Sequence, residues 1–156
     1  MTISAKEKKW NKYFMDIAQV VRTRSDCLTR SVGAVLVNPN NRIIATGYNG
    51  SPKGIKNCNT GGCERCLLKT KGKIASGEQL DKCICVHAEE NAVIQAANEG
   101  ISTNLAICYC TNLPCVHCTK TLIQAGISKV YYLEFYDSKL SAALFKEAKI
   151  PLTKIS

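Results

Sequence analysis

The sequence contains no apolar run approaching the roughly 18 residues of a membrane-spanning helix, so it predicts no membrane span. Its lysine-rich first eleven residues contain neither an apolar core nor a small-residue cleavage site, and we therefore expect no secretory signal and a cytoplasmic location. The sequence shows no internal repeat, and 156 residues is a typical length for one domain. These absences favour a single domain spanning residues 1–156.

Acidic residues are comparatively few: there are 12 of them against 21 basic residues, and the formal net charge is +9. The basic residues are scattered along the chain, however, and the aromatic residues, 6% of the total, are rarely interleaved with them. A nucleic-acid surface usually combines clustered basic residues with aromatic stacking partners. We therefore expect the positive charge to serve a phosphorylated small molecule rather than a nucleic acid.

Cysteine, in contrast, is abundant, with ten residues. In a chain without an expected secretory signal, this number indicates metal ligands or reduced thiols rather than disulfides. Two groups of cysteines stand out by their spacing. One group accompanies a histidine, and most of the other lies in a cysteine-rich segment at about residues 51–85.

The first group consists of Cys115 and Cys118 together with His87. One imidazole and two thiolates give a zinc ion three protein ligands and leave the fourth tetrahedral position open to water. The two cysteines are three residues apart, so both sulfurs can face one side of a helix that Pro114 would begin. Glu89 follows two residues after the histidine. This arrangement matches the H-x-E…P-C-x-x-C signature of zinc-dependent nucleobase deaminases.

Hydrolytic deamination of a base requires both a zinc site and a carboxylate. Zinc can lower the pKa of a bound water from about 15.7 to roughly 7, which makes that water a nucleophile for C4 of cytosine. Glu89 is predicted to accept the proton and to pass it to ring N3 and then to the leaving amine. The alternative is a structural zinc site, or a core histidine beside buried thiols. A carboxylate at this offset and a proline before the first cysteine favour the catalytic interpretation.

The second group is larger and lies in or near the cysteine-rich segment: Cys27, Cys58, Cys63, Cys66, Cys83 and Cys85. The segment has little periodicity, and so long a connection within a compact domain needs something to order it. A closed structural zinc site has four ligands, so we expect a second zinc ion bound by some of the six cysteines and not by all. Spacing does not decide which four bind. Unliganded thiols or redox centres are the alternative.

The order of strand-like and helix-like segments predicts the fold class. Residues 32–37 and 43–46 flank a turn and predict a β-hairpin, and an amphipathic helix capped by Ser4 precedes it. After the cysteine-rich segment, strands at 105–109 and 130–133 alternate with helices. We therefore expect an α/β protein, a three-layer α/β/α sandwich around a central mixed sheet of about five strands.

Longer motifs make the resemblance more specific than the zinc-site signature alone. They are S-V-G-A-V-L-V at 31–37, G-Y-N-G-S-P at 47–52, N-C-x-x-G-G-C-x-R-C at 57–66, C-x-C-x-H-A-E-E-N-A at 83–92, L-P-C-x-x-C at 113–118 and Q-A-G-I at 124–127. Together they closely resemble the deoxycytidylate (dCMP) deaminase family in its cysteine-rich form. The resemblance implies a cytidine deaminase-like fold and the hydrolysis of dCMP to dUMP and ammonia, which supplies dUMP for thymidylate synthesis.

The resemblance also implies roles for single residues. Asn49 is expected to contact the sugar of the substrate, and Ala88 is expected to lie against the substrate. Arg30 is our candidate for the phosphate contact because a guanidinium matches phosphate geometry, although solvated surface charge is the alternative. For the second zinc ion, the resemblance points to Cys27, Cys58 and Cys85 and leaves the fourth ligand open.

Regulation and assembly are implied in the same way. The loop of Tyr48, Asn49 and Gly50 is expected to respond to dCTP as an activator and to dTTP as an inhibitor, in a homo-oligomer that is usually a hexamer. Simple turn geometry is an equal alternative reason for the glycines at 47 and 50.

Two other functions compete with dCMP deamination. A polynucleotide or tRNA base deaminase would use the same zinc site but needs a basic channel and a stacking surface for a flipped base. A non-catalytic module with two structural zinc ions would not need Glu89 or an open coordination position.

Overall fold

The computed structural model describes residues 4–135 and 137–155. Its longer elements are α1 (Ala5–Arg22), β1 (Gly33–Val37), β2 (Ile43–Tyr48), α2 (Glu64–Thr70), α3 (Ala88–Asn98), β3 (Ile107–Asn112), α4 (Val116–Gln124), β4 (Lys129–Glu134), α5 (Lys139–Glu147) and β5 (Leu152–Lys154). Two 3-10 turns, Cys58–Thr60 and Leu80–Lys82, flank α2. Among the helices in this described part of the chain, none is long and apolar enough to cross a membrane.

The five strands form one sheet in the order β2-β1-β3-β4-β5. Strand β1 pairs antiparallel with β2 and with β3, whereas the β3–β4 and β4–β5 pairs are parallel. Parallel neighbours need a crossover connection, and α4 and α5 provide these two crossovers. The structure therefore confirms the hairpin and the mixed sheet of five strands.

Helices cover both faces of the sheet. Strand β1 is buried along its whole length, because its alternate side chains pack on opposite faces. Val35 and Val37 pack in one core with Phe14 of α1. Ala34 and Leu36 pack in the other core, to which α3, α4 and α5 contribute. The predicted three-layer α/β/α sandwich is confirmed.

The third strand begins later than the sequence predicts. Leu105 has a φ of 62°, and its backbone amide donates a hydrogen bond of 2.8 Å to the carbonyl oxygen of Gly126. This residue therefore belongs to a turn, and β3 starts at Ile107. The strand continues instead through the buried residues Thr111 and Asn112, which brings its end directly to the segment that carries the predicted zinc ligands of α4.

The cysteine-rich segment contains more regular structure than its sequence predicts. Helix α2 has only seven residues, and each of the flanking 3-10 turns has three. The buried side chains that gather there are four cysteines, with Leu28 and Ile84 packed against them. The interior of this segment is therefore built mainly from cysteine side chains, whereas the two main cores contain larger apolar side chains.

Candidate active site

Two helices begin at the predicted zinc ligands. His87 is the N-cap residue of α3 and Cys115 is that of α4, and neither side chain caps its own helix by a hydrogen bond. Cys118 lies on the first turn of α4 and is buried. Nδ1 of His87 lies 3.3 Å from the sulfur of Cys115 and 3.3 Å from the sulfur of Cys118. The fold thus brings together three side chains from two distant parts of the chain.

This arrangement fits a zinc ion. Zn–S bonds of about 2.3 Å and Zn–N bonds of about 2.0–2.1 Å in tetrahedral geometry separate nitrogen and sulfur ligands by about 3.6 Å. The three ligand atoms lie within 4.8 Å of one another. The partial positive charges at the N-termini of α3 and α4 also favour thiolates at this place. Three protein ligands leave one tetrahedral position for another group.

The charges of these three groups are coupled. The hydrogen bond from the Cys118 thiol lowers the pKa of Cys115 to about 3, and the hydrogen bond from His87 acts in the same direction. The hydrogen bond with Cys115 in turn raises the pKa of His87 to about 9. Zinc binds thiolates and neutral imidazole, so metal binding competes with the proton on His87.

Glu89 lies beside the three ligands without belonging to their group. It is on the first turn of α3 and only 4% exposed. Burial raises the pKa of its carboxyl group above the ordinary range, because desolvation disfavours the charged form. The neighbouring thiol of Cys110, on β3, acts in the opposite direction and lowers the pKa of this carboxyl group. This buried carboxyl group, two residues after His87, is placed to accept and return a proton.

The segment at 47–52, whose first two residues form the end of β2 and not a loop as the sequence predicts, is joined to the candidate zinc site through the backbone. Gly50 and Val86 exchange two backbone hydrogen bonds of 3.1 and 2.8 Å. Val86 immediately precedes His87, so the position of this loop and that of the histidine are linked. Tyr48, the last residue of β2, is 40% exposed, and its carbonyl oxygen accepts a hydrogen bond of 2.7 Å from Asn91 of α3.

Asn49 is buried, and its side chain holds neighbouring segments together. Its Oδ1 accepts hydrogen bonds from the Ser25 hydroxyl at 2.7 Å and from the Val32 amide at 2.8 Å. Its side-chain amide donates a hydrogen bond of 2.7 Å to the carbonyl oxygen of Arg30. A carboxamide has two donor hydrogens, and within the described residues the second one of Asn49 is left for a ligand. The Arg30 side chain, our candidate for phosphate, belongs to an exposed residue before β1.

Sequence reasoning missed two polar groups near this loop. Oδ1 of Asp26 and Oγ of Ser51 are buried, and neither has a hydrogen-bond partner among the residues that the structure describes. A β-carbon on Gly50 would lie 2.8 Å from the Asp26 oxygen, which places Asp26 next to the loop. Buried polar atoms need partners, so both are candidate ligand contacts. In the sequence, Asp26 is marked only by its position next to Cys27, and Ser51 only by its position after the G-Y-N-G motif.

Gly47 is needed for close packing and not for a special turn. Neither Gly47 nor Gly50 has a positive φ, so the turn-geometry explanation does not apply to them. A β-carbon on Gly47 would overlap the carbonyl oxygen of Ala88 and crowd the amide nitrogen of Ala92. The glycine therefore lets β2 approach the N-terminal turn of α3, which carries Glu89.

We expect Gly47→Ala to lower the midpoint of thermal unfolding by about 3–10 °C, because overpacking costs about 1–3 kcal/mol. Gly50→Ala is the matched control: its β-carbon would meet the movable carboxylate of Asp26 rather than backbone, so its effect should be smaller. Thermal unfolding followed by circular dichroism measures both. Equal midpoints for the two variants would contradict this explanation of Gly47.

The second group of cysteines forms one cluster of free thiols. Its ligand atoms fall into two groups of four, which are Cys27, Cys58, Cys66 and Cys85, and Cys63, Cys66, Cys83 and Cys85. Each group has the number and type of ligands that a closed tetrahedral zinc site uses. The first group contains all three cysteines that the resemblance indicated and adds Cys66 to them.

Comparison with known proteins gives a consistent family. The profile of the family described as "Cytidine and deoxycytidylate deaminase zinc-binding region" matches residues 8–134. The deoxycytidylate deaminase of Schizosaccharomyces pombe is 44% identical over 144 residues, 92% of this chain and 43% of that protein. The deoxycytidylate deaminase of Saccharomyces cerevisiae is 39% identical over 148 residues, 94% of this chain and 45% of that protein.

A solved structure agrees with the sequence comparison. The dCMP deaminase of cyanophage S-TIM5 in complex with dCMP and dUMP superimposes with a TM-score of 0.75 at 28% identity, covering 99% of this chain and all of that one. The chain spans less than half the length of the two yeast relatives. The profile match covers most of the chain, and the resemblance seen in the motifs is confirmed. The chain belongs to the zinc-binding family of cytidine and deoxycytidylate deaminases.

Proposed function

We propose that this chain hydrolyses dCMP to dUMP and ammonia in a zinc-dependent reaction, and that it supplies dUMP for thymidylate synthesis. The observation that carries the proposal is the convergence of His87, Cys115 and Cys118 beside the buried carboxyl group of Glu89. The choice of dCMP is supported by the names of the yeast relatives and of the cyanophage structure.

The three ligands and Glu89 have separate tasks in this reaction. His87, Cys115 and Cys118 would hold the zinc ion, which would supply the Lewis acidity that makes water a nucleophile near neutral pH. Glu89 accepts one proton of the attacking water and delivers it to ring N3, then accepts the second proton of that water and passes it to the amine, which leaves as ammonia. The neighbouring thiol of Cys110 favours the charged form of the Glu89 carboxyl group, which opposes the effect of burial. A zinc ion at this place would oppose the effect of burial on the pKa of Glu89, because its positive charge would favour the carboxylate.

Substrate recognition uses the segments around this site. The remaining N–H of Asn49 is the donor for the sugar, and Ala88, buried at the start of α3, lies against the substrate. The Arg30 guanidinium binds the phosphate. This last contact is supported by the link between the Arg30 carbonyl oxygen and Asn49, which ties the two residues to one loop.

The remaining parts of the chain have structural and regulatory roles in this proposal. Residues 1–156 form a single deaminase domain with a zinc-binding insert at about 51–85, and the second group of cysteines holds structural zinc. The loop of Tyr48, Asn49 and Gly50 is the regulatory element, activated by dCTP and inhibited by dTTP in a homo-oligomer, by resemblance a hexamer. The backbone pairing of Gly50 with Val86 offers a direct route from this loop to His87.

A substrate panel tests the proposed function. Loss of cytosine absorbance should be fast with dCMP and about 10- to 150-fold less efficient with deoxycytidine, because a hydrogen bond to a charged group contributes about 1.5–3 kcal/mol. A single-stranded oligodeoxycytidine should not be deaminated. The dCMP reaction should rise with dCTP and fall with dTTP. Faster turnover of the oligonucleotide than of dCMP would instead support a polynucleotide deaminase and contradict the proposal.

A further inference from the structure

The second group of cysteines offers more ligands than one zinc ion uses. Its two groups of four share two members, Cys66 and Cys85. Two tetrahedra that share one edge have six corners in total, which is the number of cysteines present. We propose that the cluster holds two zinc ions bridged by the thiolates of Cys66 and Cys85. This goes beyond the proposed function and replaces the expectation that only four of the six cysteines bind metal.

The terminal ligands follow from the same division. Cys27 and Cys58 complete the coordination of one ion, and Cys63 and Cys83 complete that of the other. Each ion then has two terminal and two bridging sulfurs. All six positions lie within the described part of the chain.

Contacts between the thiols place Cys66 and Cys85 in the middle of the cluster. The sulfur of Cys66 lies 4.0 Å from that of Cys27, a member of the first terminal pair. The sulfur of Cys66 also lies within 4.8 Å of that of Cys63, a member of the second pair. The sulfur of Cys85 lies within 4.8 Å of those of Cys27 and Cys83, one from each pair. A bridging ligand has to touch both halves of a cluster, and these two cysteines do so.

The sulfur separations suit shared metal ligands and not disulfides. The sulfurs of Cys63 and Cys83 are 4.0 Å apart, as are those of Cys27 and Cys66. Two thiolates on one tetrahedral zinc are separated by about 3.8 Å when each Zn–S bond is about 2.3 Å. A disulfide needs about 2.05 Å. Both separations are therefore close to the spacing of two thiolates on one zinc ion.

Charge and burial also favour two ions. Six thiolates with two zinc ions carry the same net charge as four thiolates with one zinc ion. A single ion in the first group would leave Cys63, which is fully buried, and Cys83 without a metal, although they are already positioned to complete a second tetrahedron. With a second ion, no cysteine of the cluster remains unused.

Neighbouring polar groups stabilise the thiolates from outside. The backbone amide of Leu28 donates a hydrogen bond of 3.5 Å to the sulfur of Cys58. The hydroxyl oxygen of Thr29 lies 3.4 Å from the sulfur of Cys27 and 3.8 Å from that of Cys66. Such hydrogen bonds to metal-bound sulfur orient the ligands. They come from the segment after α1, so the cluster fastens the insert to that segment.

Counting zinc in a variant that lacks the catalytic site tests the proposal. The wild-type chain and His87→Ala are purified under reducing conditions without chelator, and zinc per chain is measured by plasma mass spectrometry and native mass spectrometry. We expect three zinc ions in the wild type and two in His87→Ala. X-ray absorption of His87→Ala should show a sulfur shell and a metal neighbour at roughly 3 Å, the separation that edge-sharing zinc tetrahedra impose.

Two cysteine variants provide the matched comparison. Cys63→Ala should lower the zinc content by at least one ion, whereas Cys108→Ala, which removes an equally buried thiol outside the cluster, should leave it unchanged. One zinc ion in His87→Ala, or two without a metal neighbour at short distance, would overturn the proposal. The zinc counts of the wild type and of His87→Ala decide the proposal even if Cys63→Ala does not fold. None of these measurements uses substrate, so a failure of the proposed dCMP deamination would be detected in a separate experiment.

Discussion

Glu89→Gln is expected to lower kcat for dCMP by roughly 10²–10⁴-fold while the catalytic zinc stays bound. Glutamine has nearly the same shape as glutamate but cannot accept and return a proton. Zinc retention follows because Glu89 does not belong to the group of ligand atoms that His87, Cys115 and Cys118 form in the described structure. Steady-state kinetics and zinc content measured on the same preparation give both results.

Glu90→Gln is the matched control for this experiment. Glu90 is the next residue on α3, but its side chain is 29% exposed and contacts His117 at the surface at 3.3 Å. Removing this surface charge should change kcat only slightly, since exposed pairs contribute about 0–1 kcal/mol. A Glu89→Gln variant that turns over dCMP at the wild-type rate would show that the assigned proton transfer is wrong.

The second large effect is expected from Cys66→Ala, which removes a ligand common to both groups of four cysteines. Structural zinc contributes an apparent free energy of about 10–16 kcal/mol in small zinc-binding peptides, whereas a whole domain is stable by only about 5–15 kcal/mol. We therefore expect the insert to unfold and to become sensitive to proteolysis at about residues 51–85. Thermal unfolding and limited proteolysis measure the loss.

Cys108→Ala is the control that separates the stability lost with the metal from the stability lost with the packing of a buried thiol. Cys66 and Cys108 are both fully buried, and the same atoms are removed in both variants. Cys108 lies in the core between the sheet and α3, so its loss should cost about 1 kcal/mol and lower the unfolding midpoint by about 2–4 °C. Similar midpoints for Cys66→Ala and Cys108→Ala would contradict a structural role for metal in the cluster.

Much of the fold could be predicted because local patterns determine it. The apolar run at 32–37 and its partner strand predict the hairpin, and helical spacing after Ser4 predicts α1, where Ser4 accepts the capping hydrogen bond from the Glu7 amide. The start of the third strand could not be predicted. Leu105 has the sequence pattern of a strand residue, but in the structure it has a positive φ and its amide donates a hydrogen bond to the carbonyl oxygen of Gly126, 21 residues later.

Some features of the candidate site could also be predicted from the sequence, whereas others depend on the folded chain. The predicted zinc ligands and Glu89 follow from short spacings in the sequence, and the structure places His87 and Glu89 at one helix start and Cys115 and Cys118 at another. The partners of Asn49 and the isolated oxygen of Asp26 depend on loops that meet only in the folded chain. The sharing of Cys66 and Cys85 is also a property of three-dimensional positions, which spacing does not contain.

The central claim is that one zinc ion lies between His87, Cys115 and Cys118, with Glu89 outside its coordination. Anomalous diffraction at the zinc absorption edge, from crystals grown with dCMP, tests it most directly. The account predicts a peak about 2.3 Å from both sulfurs and about 2.0–2.1 Å from Nδ1 of His87, with the nucleotide next to the Glu89 carboxyl group. A peak confined to the cysteine cluster, or a Glu89 oxygen filling the fourth position on the metal, would contradict it.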